Sequence, residues 1–386
     1  MGRQVTGTPC SSVRRVKSLT SKTVCTSVVA LATAVSLVGC SPGGSDDSTD
    51  GGESVVGVAA TPAASPDTDG DAAGSVSAGD RIGALVRLGG PRAGDAGTQD
   101  GSSGTRVAAL ASGRLLVGDL DEVAEGTAKA TPVDPDCHSL TAAVDQLVMA
   151  CGQTVRILDA TGRELRSVDA GSPVTAAAAV PDGTVVVTTE GSDKARWFDA
   201  AGAERNSEGV SETPSSMLVV GNTRNSSGDS DAQLRVVVLD AAQSSISDLD
   251  MDKAQFNASL RAGQGLGTAS SGSLADGVVV VSDPRSDQAL VYTVTDVVRH
   301  TQATVTGPSP WAVLWDSDRQ LMWVSTTGDN RLTAYRLSTG TPEPVGHVTT
   351  VPDVRYIVDG DGGDLLLVAE DGTRQLIPSS DLPLSD

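Results

Sequence analysis

From about residue 106 to its end, the chain alternates between short apolar runs and small polar clusters suited to turns. The clearest unit begins Pro173-Val174-Thr175-Ala176-Ala177-Ala178-Ala179-Val180 and turns at Pro181-Asp182-Gly183. It continues through Thr184-Val185-Val186-Val187-Thr188-Thr189 and ends at Ala195-Arg196-Trp197-Phe198-Asp199. Proline presets the backbone and Asp-Gly tolerates positive φ, so the pattern predicts strands joined by tight hairpins. Third strands are expected to close at Asp159, Asp199, Asp240, Tyr292 and Tyr335, with spacings of 40, 41, 52 and 43 residues. Prolines 173 and 214, and 310 and 352, repeat at 41 and 42. A period of about 40–45 residues with several short strands per unit is the pattern of propeller blades. The expected fold is therefore all-β, a β-propeller over 81–386. Its roughly 280 repetitive residues suit seven blades, with six or eight as alternatives. The one short helix expected is Met251–Leu260. The last unit, Val354–Ile377, lacks a full set of strands. The strand Ile82–Leu88 is expected to complete it, closing the ring and removing exposed sheet edges.

Two stretches before the repeats break the pattern. Val24 to Val38 is a continuous apolar run preceded by Arg14, Arg15, Lys17 and Lys22. It is too short and too rich in small residues for a comfortable membrane span. It ends in Leu37-Val38-Gly39-Cys40, which resembles the lipobox of bacterial lipoproteins. That resemblance implies a signal peptide over 1–39, cleavage before Cys40, and a diacylglycerol on the Cys40 thiol. Two acyl chains bury enough CH₂ groups for stable anchoring, at about 0.8 kcal/mol each. Residues 40–80 form the second stretch. They are Gly, Ser, Ala, Pro, Thr and Asp with little else, too few apolar groups to offset chain entropy. They are expected to form a disordered acidic tether. Thr61-Pro62 and Ser65-Pro66 are candidate glycosylation sites on composition.

Composition narrows the partners. Aromatics are only 2%, so the core must be Val, Leu, Ala and Ile. The net charge is -21, and the first 39 residues carry five basic and no acidic residues. From Cys40 onward the balance is 23 basic against 49 acidic, or -26. Such a surface repels phosphate backbones and excludes nucleic acid as an expected partner. It also excludes attachment to an anionic bilayer through basic patches.

Leu158-Asp159-Ala160-Thr161-Gly162-Arg163-Glu164-Leu165 resembles the repeat of quinoprotein-type propellers. Met322-Trp323-Val324-Ser325-Thr326-Thr327-Gly328-Asp329-Asn330 resembles the YVTN-type repeat. The whole layout, lipobox, acidic tether and propeller, is similar to actinobacterial propeller prolipoproteins of the LppL kind. The resemblance implies a fold and a location rather than an activity. Quinone-binding propellers dock their blades with tryptophans at repeat positions. Here Arg166 stands at the matching place, so that cofactor is not expected.

Of five cysteines, Cys10 and Cys25 would leave with the signal and Cys40 would carry lipid. Cys137 and Cys151 remain. They flank two expected strands turning near Val144-Asp145 and lie equidistant from Val144, which faces them across a hairpin. Outside the cytoplasm a disulfide is the expected outcome. A metal or redox pair is the alternative, but the spacing of 14 does not match CxxC and His138 alone is no ligand set.

No catalytic motif stands out. The three histidines, His138, His300 and His347, lie in or beside expected strands and turns. Asp359-Gly360-Asp361-Gly362-Gly363-Asp364 alternates carboxylates as calcium loops do, yet lacks a closing bidentate Glu. Asp359, Asp361 and Asp364 are thus a weak metal candidate, and a tight turn is the simpler reading. Three of the four tryptophans fall within 13 residues. Trp311 and Trp315 are the candidate binding surface, against the alternative that aromatics here fill one blade's core. The leading expectation is a monomeric, cofactor-free binding or scaffold lipoprotein. It sits on the outer face of the cell membrane with an envelope protein or glycan partner. The runner-up is a lactonase-like or quinoprotein-like enzyme with a metal or cofactor in the central channel. A passive structural lipoprotein is the third reading.

Overall fold

A computed structural model describes residues 57–67, 70–88, 105–143, 145–222, 233–272, 276–338 and 340–384. Cys40, the expected signal segment and the first part of the expected tether lie outside them. The described residues form seven antiparallel four-stranded sheets, so the fold is a seven-bladed β-propeller. Blade 1 spans 82–132, blade 2 137–169, blade 3 174–209 and blade 4 216–261. Blade 5 spans 269–305, blade 6 310–349, and blade 7 354–377 together with Ser75–Ser77. The first strand of every blade packs beside the first strands of both neighbours, around the ring axis.

The core is divided among the blade interfaces. Seven apolar clusters lie one between each adjacent pair, including blades 7 and 1, so the ring is closed. Second strands are buried on both faces, which is why Val185–Thr189 and Leu321–Thr326 read as continuous runs rather than alternating ones. Outer strands meet solvent, and Gln255–Arg261 in blade 4 alternates exposed and half-buried positions. The interfaces are mostly Val, Leu and Ala. A single buried tryptophan fills each of three of them: Trp197 between blades 3 and 4, Trp315 between 5 and 6, Trp323 between 6 and 7.

Turn chemistry repeats with the blades. Asp159 accepts hydrogen bonds from the Thr161 and Arg163 N–H groups at 2.9 and 3.1 Å. Asp199, one blade later, accepts from the Ala201 and Ala203 N–H groups at 2.9 Å each. The periodic prolines 173, 214, 310 and 352 all stand at or just before a first strand.

Four expectations are corrected. Ile82–Leu88 does not complete the last blade; it is the first strand of blade 1. The ring is closed instead by Ser75–Ser77, which pairs antiparallel with Arg374–Ile377 as the outer strand of blade 7. The part of the expected tether at Ser75–Ser77 is therefore a strand of the propeller rather than disordered chain. Gly74 opens this strand at φ 71°, and a Cβ there would lie 2.1 Å from the Leu376 carbonyl oxygen, so only glycine fits. Met251–Leu260 is not helical: Met251 is buried in a turn and Gln255–Arg261 is a strand. Among the described residues the α-helix is Leu120–Glu125 in blade 1, held by a reciprocal capping box of Asp119 and Glu122 and ended by left-handed Gly126. Finally, Asp240 ends a second strand, not a third, because blade 4 has a long first hairpin through 223–232. The 52-residue step from Asp240 to Tyr292 is long because it runs from the end of a second strand to a third strand of the next blade.

Candidate binding face

One face of the ring is built from the hairpins between second and third strands and the connections between blades. In blades 4, 5 and 6 that hairpin carries a left-handed residue at the same place: Ser244, Asp287 and Asn330, at φ 51°, 51° and 50°. The period of 43 is the blade repeat itself. Asn and Asp tolerate this region better than most residues. Their carbonyl groups accept the N–H groups of Ala262, Thr306 and Thr350, which start the connection to the next blade. Buried carboxylates also fix connections between blades, Asp240 the one from blade 3 to 4 and Asp283 the one from blade 4 to 5. Asp240, fully buried, accepts from Ser211 Oγ at 2.5 Å, Thr213 N–H at 2.8 Å, Thr213 Oγ1 at 2.7 Å and Gln243 N–H at 2.8 Å. Asp283 accepts from the Gln264 and Gly265 N–H groups at 2.8 and 3.0 Å.

An extended strap, residues 57–66, lies across this face from blade 4 to the connection that leads into blade 7. It enters at Gly57, where a Cβ would stand 2.2 Å from the Ala242 carbonyl oxygen. The Arg285 guanidinium of blade 5 donates to the Val58 carbonyl at 2.6 Å. The Asp287 carboxylate accepts the Ser309 N–H at 2.8 Å and so places the Ser309 hydroxyl, which accepts the Ala63 N–H at 2.8 Å. Ser65 is gripped three times. Its N–H donates to Asp353 at 3.1 Å, its hydroxyl donates to the Thr327 carbonyl at 2.9 Å, and the same oxygen accepts the Asp353 N–H at 2.7 Å. The Asn330 amide donates to the Pro66 carbonyl at 2.8 Å. Ser309 and Asp353 are themselves left-handed, at φ 54° and 55°. These residues were missed in the sequence, although the 43- and 44-residue spacings of Asp287, Asn330, Ser309 and Asp353 repeat with the blades.

The expected site residues fall in different places. Cys137 and Cys151 are bonded as a disulfide, directly opposite each other in the first hairpin of blade 2. Trp315 is not a surface residue: it is 2% exposed, and its indole N–H donates to Asp276 at 3.0 Å. The tryptophan bias has a packing cause, since Trp315 and Trp323 fill opposite faces of blade 6. Trp311 is half-buried, next to Ser309 of the strap face, and its carbonyl accepts from Ser282 Oγ at 2.7 Å and Thr268 Oγ1 at 2.5 Å. Asp359, Asp361 and Asp364 do not converge. Asp359 pairs with Arg87 at 3.2 Å, Asp361 accepts the Thr105 N–H at 2.6 Å, and Asp364 accepts the Ser379 N–H at 2.7 Å. No group of three His, Cys, Asp or Glu able to hold a metal occurs among the described residues.

Several other titratable groups are tied into structure. His138 Nδ1 meets the Asp136 carbonyl at 3.0 Å. His300 packs against Tyr292 with ring centroids 5.1 Å apart. Burial, then the Asp283 carboxylate, pushes the Tyr292 hydroxyl up to about 12, and it donates to the Arg261 carbonyl at 3.0 Å. Burial raises Asp248 despite Arg235 at 3.3 Å. The first strands of blades 3, 4 and 5 contain no ionisable residue, so these strands bring no acid or histidine to the ring axis.

No protein-family model matches the chain, and no curated protein matches it by sequence. Solved structures do resemble it. BBS1N in complex with ARL6DN matches with a TM-score of 0.56 and 14% identity, over 80% of this chain and 97% of that one. The Cps50 (Swd1) β-propeller domain of Myceliophteria thermophila matches with a TM-score of 0.54 and 13% identity, over 81% and 99%. Streptogramin B lyase matches with a TM-score of 0.50 and 12% identity, over 70% and 89%. At these identities the likeness establishes the propeller fold alone.

Proposed function

We propose that the chain is a lipid-anchored binding or scaffold propeller on the outer face of the cell membrane, of the actinobacterial prolipoprotein kind. The observation that carries the binding part is the strap face. Side chains from successive blades already grip an extended backbone there. The location rests on Leu37-Val38-Gly39-Cys40. With 57 − 40 = 17 residue steps from Cys40 to the strap, the anchor reaches at most about 60 Å. That is less than half of what a tether running to residue 80 would span. Its partner is an envelope protein or glycan, and the acidic surface disfavours nucleic acid. The experiment is a pull-down from detergent-solubilised envelope with the protein lacking residues 1–40, paired with metal analysis of the same sample. Reproducible enrichment of one partner without stoichiometric metal is expected. Enrichment of nothing contradicts the reading in favour of a passive lipoprotein. Stoichiometric metal would revive the channel enzyme.

A further inference from the structure

We propose that the face across blades 4 to 7 is a binding site for an extended polypeptide segment of another molecule, and that the strap is its resting occupant. The inference deepens the binding reading above and rests on it. Four of the strap groups that the face grips belong to the backbone: the Val58 carbonyl, the Ala63 N–H, the Ser65 N–H and the Pro66 carbonyl. Such a site reads an extended chain rather than one particular sequence. Its side-chain demands are modest. Ala60 is 7% exposed and stands beside Gly265, where a Cβ would lie 3.0 Å from the Ala60 methyl, so that position takes only a small residue. Proline at 62 and 66 keeps the segment extended before it binds, which lowers the ordering cost. The ligand class is therefore an extended peptide rich in alanine and proline, with serine at the position of Ser65.

The strap is shallowly seated. Of its ten residues only Ala60 is buried, while Pro62 and Ser65 are half-buried and Val58 is 77% exposed. It holds the face because it is part of the same chain, at an effective concentration of the order of mM. An outside segment must displace it. The Ser65 hydroxyl is the latch, since it bridges the Thr327 carbonyl and the Asp353 N–H beside the Asp353 carboxylate. A negative group at 65 faces that carboxylate and frees the face.

The test uses the full chain and a fluorescent synthetic peptide of residues 57–67, read by anisotropy. Two variants free the face: Ser65→Asp, with release checked by hydrogen exchange at Ala63, and replacement of every residue of 57–66 by glycine. The second removes the Ala60 methyl, the stiffening prolines and the Ser65 hydroxyl bridge, and the flexible backbone left behind competes poorly whatever the first does. Both are expected to bind the peptide at least ~10-fold more tightly than the native chain, in which the strap competes. Adding Arg285→Ala and Ser309→Ala to the replaced-strap chain is expected to weaken the peptide at least ~5-fold. No saturable binding to the replaced-strap chain, equal binding to native and replaced-strap chains, or indifference to the two groove substitutions overturns the proposal. An envelope partner captured as a glycan, or at another face, would leave the binding reading standing while this one fails.

Discussion

Replacing Trp315 with alanine separates a core tryptophan from a ligand-binding one. The side chain is 2% exposed in the cluster between blades 5 and 6, against Val280, Val291, Val313, Met322 and Tyr335. A tryptophan buries roughly 200–250 Å², which at about 25 cal/mol per Å² is ~5–6 kcal/mol of transfer free energy lost at most. Alanine recovers part of that burial, and measured losses for such substitutions run ~3–5 kcal/mol. The Asp276 carboxylate loses its indole donor but is half-buried, so it adds little. For a domain of this size about 2 °C of melting temperature corresponds to each kcal/mol, so a fall of ~6–10 °C is expected in scanning calorimetry. Trp311→Ala, at a half-buried position on the strap face, is expected to cost no more than ~2–3 °C. If Trp315→Ala melts within ~2 °C of the native protein, the packing described for blade 6 is wrong.

Three further outcomes are expected. Replacing Cys137 and Cys151 together with serine opens a loop whose closure contributes about 3 kcal/mol in the chain-entropy model. Urea unfolding should then move to lower concentration, and intact mass of the unreduced native protein should show no free thiol at these positions. Asp240→Ala strands four donors around a half-buried connection and should cost ~2–4 kcal/mol. A calorimetric loss under ~1 kcal/mol would contradict that network. For Asp159, burial works against the charge, but hydrogen bonds from Thr161 and Arg163 outweigh it and hold the carboxyl down at about 2. Its folded pKa lies below its unfolded value of 3.8, so the stability it lends is present above pH 3.8 and is lost as pH falls toward 2. Asp159→Asn should flatten the melting-temperature profile over that window, and an unchanged slope would refute the assignment.

The blade number and the disulfide were legible because each rests on local chemistry that repeats or pairs. Proline before a first strand, Asp-x-x-Gly between third and fourth strands, and two cysteines symmetric about a turn all mark the sequence itself. Ring closure was less legible. Ser75-Val76-Ser77 is short, polar and embedded in a Gly/Ser-rich stretch, and its pairing with Arg374–Ile377 depends on contacts some 300 residues away. The helix Leu120–Glu125 had a signal, Asp119 followed three residues later by Glu122, too brief to register as helical periodicity. Asp240 looked like the third-strand markers Asp159 and Asp199, but its carboxylate turns inward to hold a connection, not a surface hairpin. The strap face was missed for a different reason. Composition makes 57–66 look unstructured, and its order comes from Arg285, Ser309, Asn330 and Asp353, which are scattered over blades 5 and 6 and the connections that follow them.

The central claim, an anchored propeller at the cell envelope, is tested most directly by the intact mass of the protein recovered from the membrane fraction. A chain beginning at Cys40 is expected, with the mass of a thioether-linked diacylglycerol added to that residue. Cys40→Ala is also expected to move the protein out of the membrane fraction. A native chain that is soluble, with an unmodified Cys40 or an N-terminus elsewhere, would contradict it.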